Sequence, residues 1–119
     1  MSDSVLREKS KVFAKDIVYL CREIKAERKE TVLANQLLRS ATSIGANLHE
    51  AQYAQSTNDF ISKFEIAQKE CYETEYWLEL FVKSELIHRE NASVLYHQCG
   101  TLRRILIASI NTAKSNQNQ

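Results

Sequence analysis

Enzymatic chemistry needs a nucleophile with a base, a metal site or a phosphate cradle, and each has a recognisable spacing. His49, His88 and His97 have no histidine or cysteine three or four residues away, and there is no His-Glu-x-x-His string. Di-iron bundles draw a Glu-x-x-His pair from each of two helices, and this chain does not supply two. Cys21, Cys71 and Cys99 lack Cys-x-x-Cys spacing and sit among apolar neighbours at helical intervals, which is the pattern of buried, reduced thiols. The two glycines, Gly45 and Gly100, are isolated, so no glycine-rich loop can wrap a phosphate. The reading is therefore no catalytic residue, no metal and no cofactor.

Two polar clusters do have a shared spacing. Gln36, Ser40, Ser43, Asn47 and Glu50 recur at steps of three and four, so they fall on one face of a helix. Glu70, Glu73 and Trp77 do the same further on. If the two faces meet, carboxylates there need donors, and Arg39, Ser43 and Asn47 are at hand. Such a seam either fixes helix register, contributes to a subunit interface, or binds a ligand or RNA. A metal or ligand site would require Glu50, Glu70 and Glu73 to converge.

The elements that must position these residues are helices. The 119 residues contain no proline and two glycines, too few for the many tight turns of an all-β fold. Apolar residues make up 44% and charged residues 26%, ordinary values for a folded domain. Alternating steps of four and three define four apolar seams. The first is Leu6, Ser10, Phe13, Ile17, Leu20 and Ile24, predicting a helix from about Ser4 to Ala26. The second, Leu33, Leu37, Ala41, Ile44, Leu48 and Ala51, predicts a helix capped by Thr31 and running to about Ala54. Small residues crowd it at Ser40, Ala41, Ser43, Gly45 and Ala46, which implies close helix contact. The third seam is Phe60, Phe64, Ala67, Cys71, Thr74, Leu78 and Phe81, capped by Ser56 or Thr57 and ending near Leu86. The fourth is Leu95, Cys99, Leu102, Leu106, Ser109 and Ala113, from about Asn91 to Ala113. The predicted fold is one all-α domain over 1–119, an antiparallel up-down-up-down four-helix bundle, with residues 1–4 and 115–119 frayed.

Net charge is +1, but residues 1–40 carry +3, residues 41–90 carry −5 and residues 91–119 carry +3. These are solvated helix faces, complementary surfaces between subunits, or a basic surface for RNA built from Lys9, Lys11, Lys15, Arg22, Arg103 and Arg104. The N-terminal MSDSVLREKSK has no apolar signal-peptide core, and no apolar run is long enough for a membrane span. With reduced thiols, this predicts a cytoplasmic protein.

The strings QLLRSATSIGANLHEA and DFISKFEIAQKECYETEYWLEL resemble the bacterial 23S rRNA intervening-sequence proteins, a four-helix bundle family also grouped under a ribosomal-protein label. The resemblance covers nearly the whole chain. It rests on Gln36, Arg39, Ser43, Ile44, Asn47, Glu50, Asp59, Phe60, Ile66, Ala67, Glu70, Glu73, Thr74, Tyr76, Trp77 and Leu78. Many relatives place glycine after the motif glutamate, where this chain has Ala51, so helix two is expected to run on before it turns. The resemblance implies a noncatalytic bundle that assembles as a ring, a homopentamer, with genes often lying inside intervening sequences of large-subunit rRNA genes. The chain is also similar to the accessory protein of diversity-generating retroelements, a basic pentameric bundle that binds a reverse transcriptase and RNA. In such a ring the acidic third helix of one subunit is expected to meet the basic first or fourth helix of its neighbour.

Overall fold

The computed structural model describes residues 3–118, and Met1, Ser2 and Gln119, part of the expected frayed ends, lie outside the described residues. Four helices follow one another: α1 (Asp3–Glu23), α2 (Val32–Ala51), α3 (Thr57–Lys83) and α4 (Arg89–Gln117). They form a rod of 52 × 22 × 19 Å, with each helix against its chain neighbours and α1 also against α4. Contacts between α2 and α3 descend one helix as they climb the other, from Arg39–Glu70 to Glu50–Lys63. The same antiparallel register joins α3 to α4 through Glu75–Arg103 and Glu65–Lys114. Cys21–Ala34 and Ser10–Gly45 join α1 to α2 in the same way. This is the up-down-up-down bundle that the four seams require.

The core confirms the seams in their middle turns and departs from them at the ends. Phe13, Ile17, Leu37, Ile44, Phe64, Cys71, Leu78 and Leu102 are buried as expected. Leu20, Leu33 and Phe60 are only partly buried, while Cys21, Ala34 and Ile61 beside them are fully buried. On α4 the buried position moves from Ser109 to Ile110. The cause is geometric: a straight helix has 3.6 residues per turn, so a strict seven-residue seam drifts by about 20° per heptad and the buried position slips by one residue.

Helix ends differ from the expected ones for identifiable reasons. The α-helical pattern of α1 stops at Glu23, and one wider turn, Ile24–Arg28, keeps Ile24 buried before Lys29 ends it in the left-handed region at φ 58°. Thr31 does not cap α2; its backbone is already helical and its side chain makes no capping bond. Glu30 caps instead, its Oε2 accepting the Leu33 N–H at 3.2 Å. Replacing the family glycine with Ala51 does not prolong α2. The helix ends at Ala51, and residues 52–54 continue only as tight turns bonded to carbonyls three residues back.

Ser56 caps α3, accepting the Asp59 N–H at 3.0 Å, while Asp59 accepts the Gln55 N–H at 3.1 Å. The helix stops at Lys83, before the expected Leu86, because Glu85 turns left-handed at φ 64°. Leu86 N–H then bonds to Phe81 O and Glu85 N–H to Val82 O, a Schellman closure with glutamate in the usual glycine position. Arg28 donates to the Glu85 carbonyl and ties the wide turn to this closure. α4 begins at Arg89 and runs past the expected Ala113 end, through residues 115–117 that were expected to fray. Lys114 pairs with Glu65 at 3.1 Å and Gln117 donates to Asn58, so the polar turns have partners on α3. Likewise Asp3 and Ser4 belong to α1.

Candidate functional site

The two polar faces read from the sequence make no direct bond to each other; Arg39, beside the first face, reaches Glu70 and Glu73 of the second, and Ser40 of the first meets Thr74. Small residues are buried along both helices, Ser40 and Ala41 on α2 and Ala67, Cys71 and Thr74 on α3, and Ser40 meets Thr74 across them at 3.0 Å. Above this layer Arg39 reaches from α2 to two carboxylates one turn apart on α3, Glu70 at 3.3 Å and Glu73 in close contact. Glu73 Oε2 also accepts the Trp77 indole N–H at 2.9 Å. Arg39 is half exposed and Glu70 nearly covered. Arg39 is therefore the donor the carboxylates needed, and a strap across α2 and α3 results.

Ser43 and Asn47 serve α2 itself. Asn47 Nδ2 donates to Ser43 O at 2.8 Å and to Ser43 Oγ at 3.1 Å. Glu50 lies further along and accepts from Lys63 at 3.1 Å. Gln36 is exposed one turn before Ser40. Glu50, Glu70 and Glu73 thus face different cations and do not converge. Among the described residues no group of three or more His, Cys, Asp or Glu could hold a metal ion. The Glu-x-x-His spacing at Glu85–His88 falls in the α3–α4 connection, not on a helix.

The main polar contact that spacing did not reveal is Glu75 with Arg103. Glu75 is 6% exposed, and its Oε1 accepts from Arg103 Nε at 2.7 Å. The Arg103 guanidinium also lies over the Tyr72 ring, 5.1 Å from its centroid. The Glu75 hydrogen bond raises the Arg103 pKa, so this cation stays charged. In the sequence Glu75 reads as one acidic residue among six between Glu65 and Glu85. The available signal was its spacing, four after Cys71 and three before Leu78, at the edge of the apolar seam.

Cys21 and Cys99 are held in the thiol form by their surroundings. Burial pushes Cys21 up to about 11. A hydrogen bond with Cys71, then burial, raises the Cys99 thiol well above its ordinary value. Their S–H groups donate to Ala34 O and Cys71 O respectively. Tyr96 is also raised, by burial first and then by Glu79 and Glu75.

The basic residues do not share one face. Lys11, Lys15 and Arg22 are exposed on the outer side of α1, whereas Lys9 borders the α1–α4 groove beside His97 and Thr101. Arg104 is exposed and donates to Thr101 Oγ1, and Arg103 is engaged by Glu75. Most of the acidic charge of α3 is met inside the chain, since Glu65, Glu70, Glu73 and Glu75 all pair with cations of this same chain.

No helix among the described residues is long and apolar enough to cross a membrane. The family model of the 23S rRNA-intervening sequence protein matches residues 2–108. The fold matches the crystal structure of a protein of unknown function from the S23 ribosomal protein family of Bacteroides thetaiotaomicron. Identity is 47% and the TM-score 0.91, over 93% of this chain and 99% of that one. No curated protein matches the chain.

Proposed function

The chain belongs to the 23S rRNA-intervening sequence protein family, and we propose that it is a noncatalytic, self-assembling interaction protein that works as a ring-shaped homopentamer in the cytoplasm. The observation that carries this reading is where the exposed apolar side chains lie. Val12, Tyr19 and Val94 are exposed on α1 and α4, while Val32, Tyr53, Ile66 and Tyr76 are exposed on α2, its exit and α3. In the order of the bundle these are opposite sides, so one copy cannot cover both sets. Exposed apolar side chains on two unlike sides suit a head-to-tail assembly. The signature residues meanwhile bond within the chain and leave no convergent reactive group.

Sedimentation equilibrium at micromolar concentration is the test. A single oligomeric species is expected, and a clean monomer overturns the reading.

A second reading has its own observation. Lys9, Lys11, Lys15 and Arg22 form no ion pair among the described residues, and α1 offers them to solvent. Such a surface suits RNA, bound alone or together with a nucleic-acid-processing enzyme. Binding to structured RNA must then weaken steeply with salt, because phosphate contacts release counterions. Absence of binding at low salt removes this alternative.

A further inference from the structure

We propose that the cavity between the end of α3 and the start of α4 binds a small ω-amino carboxylate, a molecule with an anionic head, a short apolar chain and an ammonium at its far end. This goes beyond the assembly reading and does not rest on it.

The cavity holds about 290 Å3. Leu78 and Ala92, both buried, and the half-buried Val82 give it an apolar floor. Small-molecule sites start at roughly 300 Å3, so the space suits a ligand of a few heavy atoms.

Three charged side chains border this floor, sorted by position. α3 and α4 run antiparallel in the register set by Glu75 and Arg103. Glu79 therefore lies near the level of Tyr96, while Lys83 and Arg89 lie at the opposite end, toward the α3–α4 connection. Burial and then the Glu79 carboxylate raise the Tyr96 pKa, as expected of neighbours. Glu79 and Lys83 are four residues apart, about 6 Å along the helix axis.

Glutamate four residues before lysine is the favoured order for a pair on a helix. Yet Glu79, Lys83 and Arg89 are in none of the ion pairs of the described residues. The nearby carboxylates do not neutralise the cations from within the cavity. Glu75 is occupied by Arg103, Glu85 borders the adjoining cavity with Arg28 and His88, and Glu90 borders neither. One end of the floor thus carries two cations and the other a carboxylate.

Each end has its own chemistry. Lys83 and Arg89, with the Ser93 hydroxyl one turn into α4 from Arg89, supply donors for a carboxylate. Glu79 and the half-exposed ring of Tyr96 both attract an ammonium. A simple anion meets Glu79 and a simple amine meets Lys83 and Arg89, so only a ligand with both charges is matched at both ends. With carbon–carbon bonds of about 1.5 Å, an extended chain of about four methylenes spans the separation.

Saturation-transfer NMR tests this on the native protein, with 5-aminopentanoate as the probe. It is expected to bind at least tenfold more tightly than pentanoate, pentylamine or the shorter 3-aminopropanoate. Glu79→Gln and Arg89→Gln are each expected to weaken its binding at least tenfold. Glu90→Gln, on the same first turn of α4 but away from the cavity, is expected to leave it unchanged. All three positions are exposed, and circular dichroism checks that the variants keep the helical fold. No binding of 5-aminopentanoate at millimolar concentration overturns the proposal. So does equal binding of either single-charge analogue, or binding that Glu79→Gln and Arg89→Gln leave untouched. A loss in Glu90→Gln as large as in Arg89→Gln overturns it too, because general surface charge then accounts for the binding.

Discussion

Thr74 Oγ1 lies 3.0 Å from Ser40 Oγ, and both residues are completely buried between α2 and α3. Each hydroxyl has one proton, so the pair forms a relay. Thr74 donates to Ser40, which in turn donates to Leu37 O at 3.2 Å. In the opposite sense Ser40 donates to Thr74, which donates to Glu70 O at 2.8 Å. Either direction leaves no unpaired donor in the core. Thr74→Val removes one hydroxyl and leaves Ser40 its bond to Leu37 O, so a cost of about 1 kcal/mol is expected. Combining it with Ser40→Ala replaces both partners by apolar groups, and the double variant is expected to be little worse than either single. Urea unfolding of the four proteins checks this. Strictly additive losses contradict a shared bond.

Glu75 and Arg103 should behave differently, because a buried charge is at stake. Arg103→Met leaves the Glu75 carboxylate buried without its cation, and a loss of roughly 3–5 kcal/mol is expected. Glu75→Leu combined with Arg103→Met removes both charges and should recover most of that loss. Denaturant midpoints decide it. A double variant as unstable as Arg103→Met alone rules out the unpaired charge as the cause.

The seams were legible because apolar spacing reports the bundle directly, and Phe13, Leu37, Phe64 and Leu102 are buried where spacing places them. The α2–α3 seam was legible for a related reason: Arg39, Glu70 and Glu73 carry their complementarity in their residue types. Glu75 was not, because a carboxylate at the seam's edge reads as solvated until the facing helix supplies Arg103. Helix ends were the other gap. The left-handed Lys29 and Glu85 are not glycines, and Glu85 holds its place through Arg28, which lies 57 residues away in the chain. Local rules do not contain such a contact.

Gly45 is held by a neighbour on α1. A Cβ added there would stand 3.2 Å from Ser10 Oγ, and Ser10 is itself buried and bonded to Arg7 O at 2.7 Å. Alanine improves helix propensity by about 1 kcal/mol over glycine. In the native background Gly45→Ala is expected to show little of this gain, because the bonded hydroxyl must give way. With Ser10→Ala already present the obstructing oxygen is gone, and Gly45→Ala should then stabilise by about 1 kcal/mol. Thermal and urea unfolding of the cycle measure the difference. An equal effect of Gly45→Ala in both backgrounds shows that Ser10 is not the constraint.

Cys21 makes a prediction about alkaline pH with a definite sign. Burial raises its pKa from 9.0 to about 11, so the folded chain keeps a proton that the unfolded chain gives up. Stability from this residue is therefore complete below pH 9 and falls as pH rises from 9 towards about 11. Each unit of displacement corresponds to about 1.4 kcal/mol. Lysines and tyrosines titrate in the same range, so the readout is a difference. The slope of unfolding free energy against pH in this window should be shallower in Cys21→Ala than in the native chain. The thiol should also resist alkylation at pH 8 in the native fold and react at once in denaturant. Parallel pH slopes for the two proteins would show that Cys21 ionises as easily folded as unfolded.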